Sequence, residues 1–289
     1  MALGNLAQRF LVALVAVPIL LVVLYYHRPE PTWAVIFVAS LIAMHELFAM
    51  LLPAGDRRAA LVLGGLAVLA FYWLDPGALA LYRGVPRVLI GAVSAGPTIP
   101  LVFVVVVPGV YYLFRFREIP GVAGRYAATV TGIVYAGYLT TYLAKLKLID
   151  PDKAGDTVLI VLIVAWLADT GGYFAGRFRG KAKLYPAVSP KKTWAGAWGG
   201  IAGSVVGVAA LKLVSAHYLT WFDVGMLAIP GSILGQLGDL TESLLKRSVG
   251  VKDSGALLPG HGGLLDRIDA VLFIAPYVYG YLVIRDAIG

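Results

Sequence analysis

Apolar residues in this chain run in blocks of about twenty, separated by short polar turns, instead of alternating with polar positions. Coiled as α-helices, blocks of that length match the ~30 Å hydrocarbon core of a bilayer. They predict spans near 9–26, 32–52, 59–74, 97–115, 125–145, 157–176, 194–215, 223–245 and 265–285. A further segment, 76–95, is apolar in places but carries Arg83 and Arg87 near its middle, where unpaired charges are costly. The distribution of Lys and Arg arbitrates, because cytoplasmic loops are enriched in them. With Arg9 inside and nine spans, the cytoplasmic side receives Arg57, Arg58, Arg115, Arg117, Arg125, the stretch Arg177 to Lys192, and Lys246, Arg247 and Lys252. The expected fold is an all-α integral membrane protein, a polytopic helical bundle of about nine transmembrane helices. Segment 76–95 is expected at the external interface, and the connection 146–156 outside. The run after Arg9 looks at first like a signal peptide. It is long for one, and Tyr26-His27-Arg28-Pro29 offers no small-residue cleavage site, so it reads as a retained span.

Composition agrees with this reading. Sixty per cent of the residues are hydrophobic, mean hydropathy is +0.82, and 14% are charged, against about 25% in soluble domains. The net charge of +8 resides in short loops between apolar runs, which favours anionic headgroups or phosphates and argues against nucleic acid. The absence of cysteine excludes disulfides, thiolate metal sites and thiol catalysis. No internal repeat or linker divides the 289 residues, so a single membrane domain is expected. Within it, residues 1–150 read as scaffold helices and 151–289 as the catalytic region.

Four polar features stand out in the second half. Asp169 lies about twelve residues into its span, within Ala165-Trp-Leu-Ala-Asp-Thr-Gly-Gly172. Such a carboxylate faces a cavity or a partner, or merely locks two helices. Glu46 is a similar case without a polar cluster around it, and a structural role is the simpler reading. The second feature is Gly180-Lys-Ala-Lys-Leu-Tyr-Pro-Ala-Val-Ser-Pro-Lys-Lys-Thr193. Ser189-Pro190 reads as a turn and Thr193 as an N-cap. Free amides beside Lys191 and Lys192 suit an anion, although an ordinary basic loop would look the same. The glycines at 196, 199, 200 and 203 then allow close helix approach.

The third feature is Gly238-Asp-Leu-Thr-Glu-Ser-Leu-Leu-Lys-Arg247. On a helix, Asp239, Glu242, Ser243 and Lys246 share one face, which fits either a site or a salt-bridged helix end. The fourth is Pro259-Gly-His-Gly-Gly-Leu-Leu-Asp-Arg-Ile-Asp269. Its glycines permit positive φ or close approach to a ligand, and Asp266 and Asp269 stand one turn apart at a helix start. Two carboxylates there interact favourably with the helix dipole, but a His between two carboxylate clusters has no packing rationale. Carboxylates, basic residues and glycine turns at a membrane surface suit phosphate chemistry with a divalent cation. Asp239 and Asp266, at the membrane ends of adjacent spans, are placed to share a cation or a cation pair.

The unbroken run from Ser243 to Asp269, with its S-x-x-K-R, K-D, P-G-H-G-G and D-R-x-D elements, resembles the signature of phosphatidate cytidylyltransferases, the CDP-diacylglycerol synthases. Asp169-Thr-Gly-Gly-Tyr-Phe-Ala-Gly-Arg177, Gly180-Lys181 and Ser189-Pro-Lys-Lys-Thr193 are similar to the same family. One departure is Ala195-Gly196, where the family usually carries Glu-Gly. The resemblance covers 165–285 firmly and the earlier spans by hydropathy alone.

It implies transfer of CMP from CTP to phosphatidic acid, giving CDP-diacylglycerol and pyrophosphate. It also implies Mg²⁺, with a second cation left open, and a site facing the cytoplasm from the inner membrane. Asp239 and Asp266 become the expected metal ligands, supported by Asp269, with Lys246 completing the catalytic group. Lys191, Lys192, Lys246, Arg247 and Lys252 are expected to hold phosphates, His261 to contact nucleotide or pyrophosphate, and Asp169 to line the cavity. Ser189, Thr193, Asp253, Gly262, Gly263 and Arg267 complete the expected substrate-binding set. Expected partners are CTP, phosphatidic acid and membrane lipids, with a homodimer left open. The rivals are a CTP-dependent lipid kinase, a relative acting on an ether lipid, and a transporter. A transporter predicts inverted repeats, whereas the charge here is confined to one half.

Overall fold

The computed structural model describes residues 14, 17–81, 97–115, 119–150, 153–255 and 262–288. Helix α1 occupies residues 17–25. It is followed by α2 (Glu30–Leu51), α3 (Ala54–Trp73), α4 (Pro76–Leu81) and α5 (Thr98–Leu113). Next comes one continuous helix made of α6 (Val122–Gly132), a π-helical stretch (Ile133–Tyr138) and α7 (Leu139–Ile149). The second half comprises α8 (Ala154–Arg179), a hairpin of β1 (Lys183–Tyr185) and β2 (Ser189–Thr193), α9 (Trp194–Val214), α10 (Trp221–Ser248) and α11 (Leu265–Ile288). This is an all-α membrane protein with one small hairpin.

Every apolar run from 32–52 onward falls on a helix. Among the described residues, four helices are long and apolar enough to cross a bilayer: Glu30–Leu51, Gly155–Arg179, Trp194–Val214 and Leu265–Ile288. Thr98–Leu113 is apolar but shorter, and α10 carries several charges towards its C-terminal end. Residues 9–13, 15 and 16 of the expected first span, and residues 82–95 of the ambiguous segment, lie outside the described residues.

Local chemistry sets the helix starts. Thr193 accepts the Gly196 N–H at 3.1 Å and caps α9, as its position predicts. Thr220 and Asp223 form a reciprocal capping box at α10. The turn expected at Ser189-Pro190 is displaced. It lies at 186–188, closed by the Val188 N–H on the Tyr185 carbonyl, and Ser189 opens β2. Pro186 follows Tyr185 in that turn and supplies the preset φ, which leaves Pro190 in a strand of a two-stranded sheet, where a missing N–H is tolerated.

Helix α11 organises the interior. Val271, Ile274, Ala275 and Val278 on one side pack with Leu143, Leu146, Val158 and Leu227. Leu265 and Leu272 pack with Leu47, Phe48, Phe71 and Ile133. Both clusters therefore draw on helices from before and after residue 150. At one end of the bundle Lys147 Nζ donates to the carbonyls of Val23, Leu24 and Tyr26 at 2.7–3.0 Å, satisfying acceptors that the end of α1 leaves open. At the other end Arg115 and Arg125 converge on buried Asp56.

The tightest pairing is α8 against α9. A Cβ on Gly203 would overlap the Leu167 carbonyl oxygen, and one on Gly171 the Gly199 carbonyl oxygen. Backbone therefore meets backbone along this seam. Gly203→Ala is expected to destabilise by about 1–3 kcal/mol, read as a fall in Tm in detergent. Gly280→Ala, with no atom within 4 Å of the added methyl, leaves Tm unchanged. Equal behaviour of the two variants would remove close approach as the reason for glycine.

Candidate active site

Between the C-terminal part of α8, the hairpin, the start of α9, and α10 and α11 lies a cavity of about 410 Å³. Asp169, Tyr173 and Arg177 enter it from α8, Lys191 and Lys192 from β2, and Gln236 and Asp239 from α10. Its floor is apolar, with Ala165, Ala168, Ala270 and Ile274. The hairpin is tied to α10 by Lys192, whose Nζ lies 2.6 Å from Asp239 Oδ2 and 3.5 Å from the Gln236 carbonyl. Gln236 in turn donates to the Ala197 carbonyl at 3.2 Å, joining α10 to α9. Asp169, Asp239 and Asp269 stand within electrostatic range of one another, with Lys192 the shared opposing charge and Arg267 a further cation in range of Asp169.

A second cluster adjoins the first along α10 and α11. Lys246 Nζ sits 2.7 Å from Glu242 Oε2 and 2.5 Å from Asp266 Oδ1. The other Asp266 oxygen accepts the Ser254 N–H, the Ser254 hydroxyl and the Gly263 N–H at 3.0–3.1 Å. Asp239 and Asp266 thus occur in neighbouring ion pairs with different lysines. Ser243 donates to Asp239 at 3.4 Å, so the face shared by Asp239, Glu242, Ser243 and Lys246 is present.

The remaining expected residues are distributed around these two groups. Thr193 caps α9 and lines the cavity wall. Ser189 begins β2 and is not among the cavity-lining side chains. Arg247 donates to the Val251 carbonyl at 2.9 Å and secures the turn after α10. Lys252 and Asp253 are exposed on that turn, away from the cavity wall. Gly262 takes φ +80°, the left-handed region for which glycine was expected. His261 lies outside the described residues.

Two contributors come from the first half. Glu46 binds the loop before α11. Tyr135, in the π-helical stretch, has a buried hydroxyl with no partner among the described residues, within electrostatic range of Asp269, Glu242 and Asp239. Glu46 carried a signal in the sequence, an ionisable group inside a span. Tyr135 carried none.

The donor set is oxygen-rich and hard, the chemistry of a Mg²⁺ site. Among the described residues no group of three or more His, Asp or Glu side chains is gathered as a ready-made cation cage.

A sequence model described as the cytidylyltransferase family matches residues 7–285. A phosphatidate cytidylyltransferase of Bacillus subtilis is 41% identical over 147 residues, 50% of this chain and 54% of the relative. One from Brucella suis is 43% identical over 148 residues, 51% and 54% of the two chains. One from Staphylococcus epidermidis is 47% identical over 120 residues, 41% and 46% of the two chains. The chain spans about half the length of the curated relatives it matches.

The two lysines hold their carboxylates in different surroundings, and this separates their stability effects. Lys246 is 10% exposed against partners at 1% and 13%, whereas Lys192 and Asp239 are 24% and 33% exposed. Lys246→Ala strips the cation from two enclosed carboxylates and is expected to cost about 3–5 kcal/mol. Lys192→Ala is expected to cost about 1 kcal/mol or less. Thermal unfolding of both variants in one detergent checks the order, and an equal fall in Tm would contradict it.

Proposed function

The chain belongs to the cytidylyltransferase family, and from that premise we propose that it is a phosphatidate cytidylyltransferase. It transfers CMP from CTP to phosphatidic acid and releases pyrophosphate. The observation that carries this reading is the cavity that joins an apolar floor to a rim of Lys191, Lys192 and Arg177 facing Asp169 and Asp239. A lipid phosphate and a nucleotide triphosphate both need that combination, basic groups for charge and apolar surface beside them.

In the reaction a phosphatidate oxygen attacks the α-phosphorus of CTP. The new P–O bond forms as the bond between the α-phosphorus and the pyrophosphate oxygen breaks. A phosphate monoester is mostly ionised near neutrality, with a second pKa of about 6, so no strong base is required. Positioning and charge neutralisation do the work. Lys191, Lys192 and Arg177 neutralise phosphate charge at the cavity rim. Asp169, Asp239 and Asp269 would repel an anionic substrate unless a cation stood between them. In this reading Asp239 and Asp266 would hold Mg²⁺ with Asp269 in support, and the ion would supply that neutralisation. Lys246 orients Asp266 through its 2.5 Å contact.

The bundle is read as nine spans, with 1–150 as scaffold and 151–289 as the catalytic region. Its basic residues, including Arg57, Arg115, Arg125, Arg177, Lys192 and Lys246, support a site on the cytoplasmic face of the inner membrane. Bacterial relatives support that location. The partners are CTP, phosphatidic acid and the surrounding lipids.

Purified protein given CTP, phosphatidic acid and Mg²⁺ is expected to release pyrophosphate with equal formation of CDP-diacylglycerol. Release of CDP instead would mark γ-phosphoryl transfer, and no product at all would sink the reading. Asp239→Asn and Asp266→Asn are each expected to lower turnover by about 10³-fold, with folding checked by gel filtration in detergent. Near-normal rates in either variant would remove that residue from the metal site.

A further inference from the structure

Glu46 lies near the C-terminal end of α2 and is 4% exposed. No ion pair reaches it among the described residues. Its carboxylate oxygens are met by hydrogen-bond donors. Oε1 accepts the Leu264 N–H at 3.0 Å, and Oε2 accepts the Leu265 N–H at 2.8 Å and the Ser254 hydroxyl at 3.2 Å. The first amides of a helix have no partner within it, and a side chain just before the helix usually supplies one. Here the residue before α11 is Leu264, which has no acceptor. The acceptor arrives instead from another helix, 218 residues away in the chain. The positive end of the α11 dipole adds to the match.

The arrangement extends to the reaction residues. Asp266 Oδ2 takes the Gly263 N–H, so two carboxylates claim three successive amides, at 263, 264 and 265. Ser254 touches both carboxylates, with its hydroxyl at 3.2 Å from Glu46 and 3.0 Å from Asp266. The seat is closely fitted. A Cβ on Gly255 or on Gly263 would come within 2.7 Å of a Glu46 carboxylate oxygen. Gly263 is therefore required by the close approach of Glu46 and Ser254.

We propose that Glu46 is a positioning residue of the site: it caps α11 from α2 and thereby sets the direction of Asp266 and, one turn on, Asp269. This rests on the cytidylyltransferase reading above and adds to it a role for the first half of the chain. Glu46→Gln keeps the shape but turns one acceptor into a donor facing an N–H. With CTP and phosphatidic acid it is expected to lower kcat about 10- to 100-fold, with KM for CTP within about twofold. Hydrogen exchange at the Leu264 and Leu265 amides is expected to quicken at least about tenfold. Wild-type kcat, or a change confined to KM, overturns the positioning role, and unchanged exchange overturns the cap. If Glu46→Gln does not fold, Glu46→Asp, which keeps the charge on a shorter arm, is measured in the same two ways. Wild-type values in both measurements would again overturn the proposal. A wild-type protein that makes no product fails the functional reading instead, and exchange at 264 and 265 still decides the cap.

Discussion

A carboxylate placed among the helices of a membrane bundle is costly unless a cation or a set of donors meets it. At one end of this protein that requirement is met three times over. Lys192 meets Asp239, Lys246 meets Glu242 and Asp266, and the amides of Leu264 and Leu265 with Ser254 meet Glu46. Each match joins different parts of the chain: the hairpin to α10, α10 to α11, and α2 to α11. The contacts that neutralise the acidic residues therefore also hold the walls of the cavity in register.

The two carboxylates of the signature region differ in how fully they are engaged. Asp266 has both oxygens occupied, by Lys246 and by three donors from Ser254 and Gly263. Asp239 has one lysine and a long bond from Ser243, and it borders the cavity. Asp239 is thus the more open to an incoming phosphate or cation, whereas Asp266 is the more rigidly oriented. The glycine seam between α8 and α9 complements this, because it brings Asp169 and the basic hairpin close to α10 without bulky side chains between them.

Much of this was legible in the chain. The apolar runs placed the helices from α2 onward, Thr193 announced its cap, and spacings of three and four put Asp239, Glu242, Ser243 and Lys246 on one face. Helical periodicity is a local property and survives any tertiary arrangement. The misplaced turn has an equally local cause, since Pro186 and Pro190 both suit a turn and only pairing of β1 with β2 chooses between them. Glu46 was visible as an acidic residue in a span, but no neighbour in sequence hinted at the amides it binds. Tyr135 looked like any aromatic residue of a membrane helix.

The sequence by itself determined the class of protein, the positions of its helices, and the acidic, basic and glycine residues from which a phosphate site is built. These follow from hydropathy, helical period and side-chain chemistry, each of which acts over a few residues. Tertiary structure alone decided which lysine meets which carboxylate, that α2 caps α11, and that Gly263 makes room for Glu46 and Ser254. Those outcomes depend on contacts between residues up to 219 positions apart, and each is settled by where a polar side chain finds its nearest opposite charge or donor.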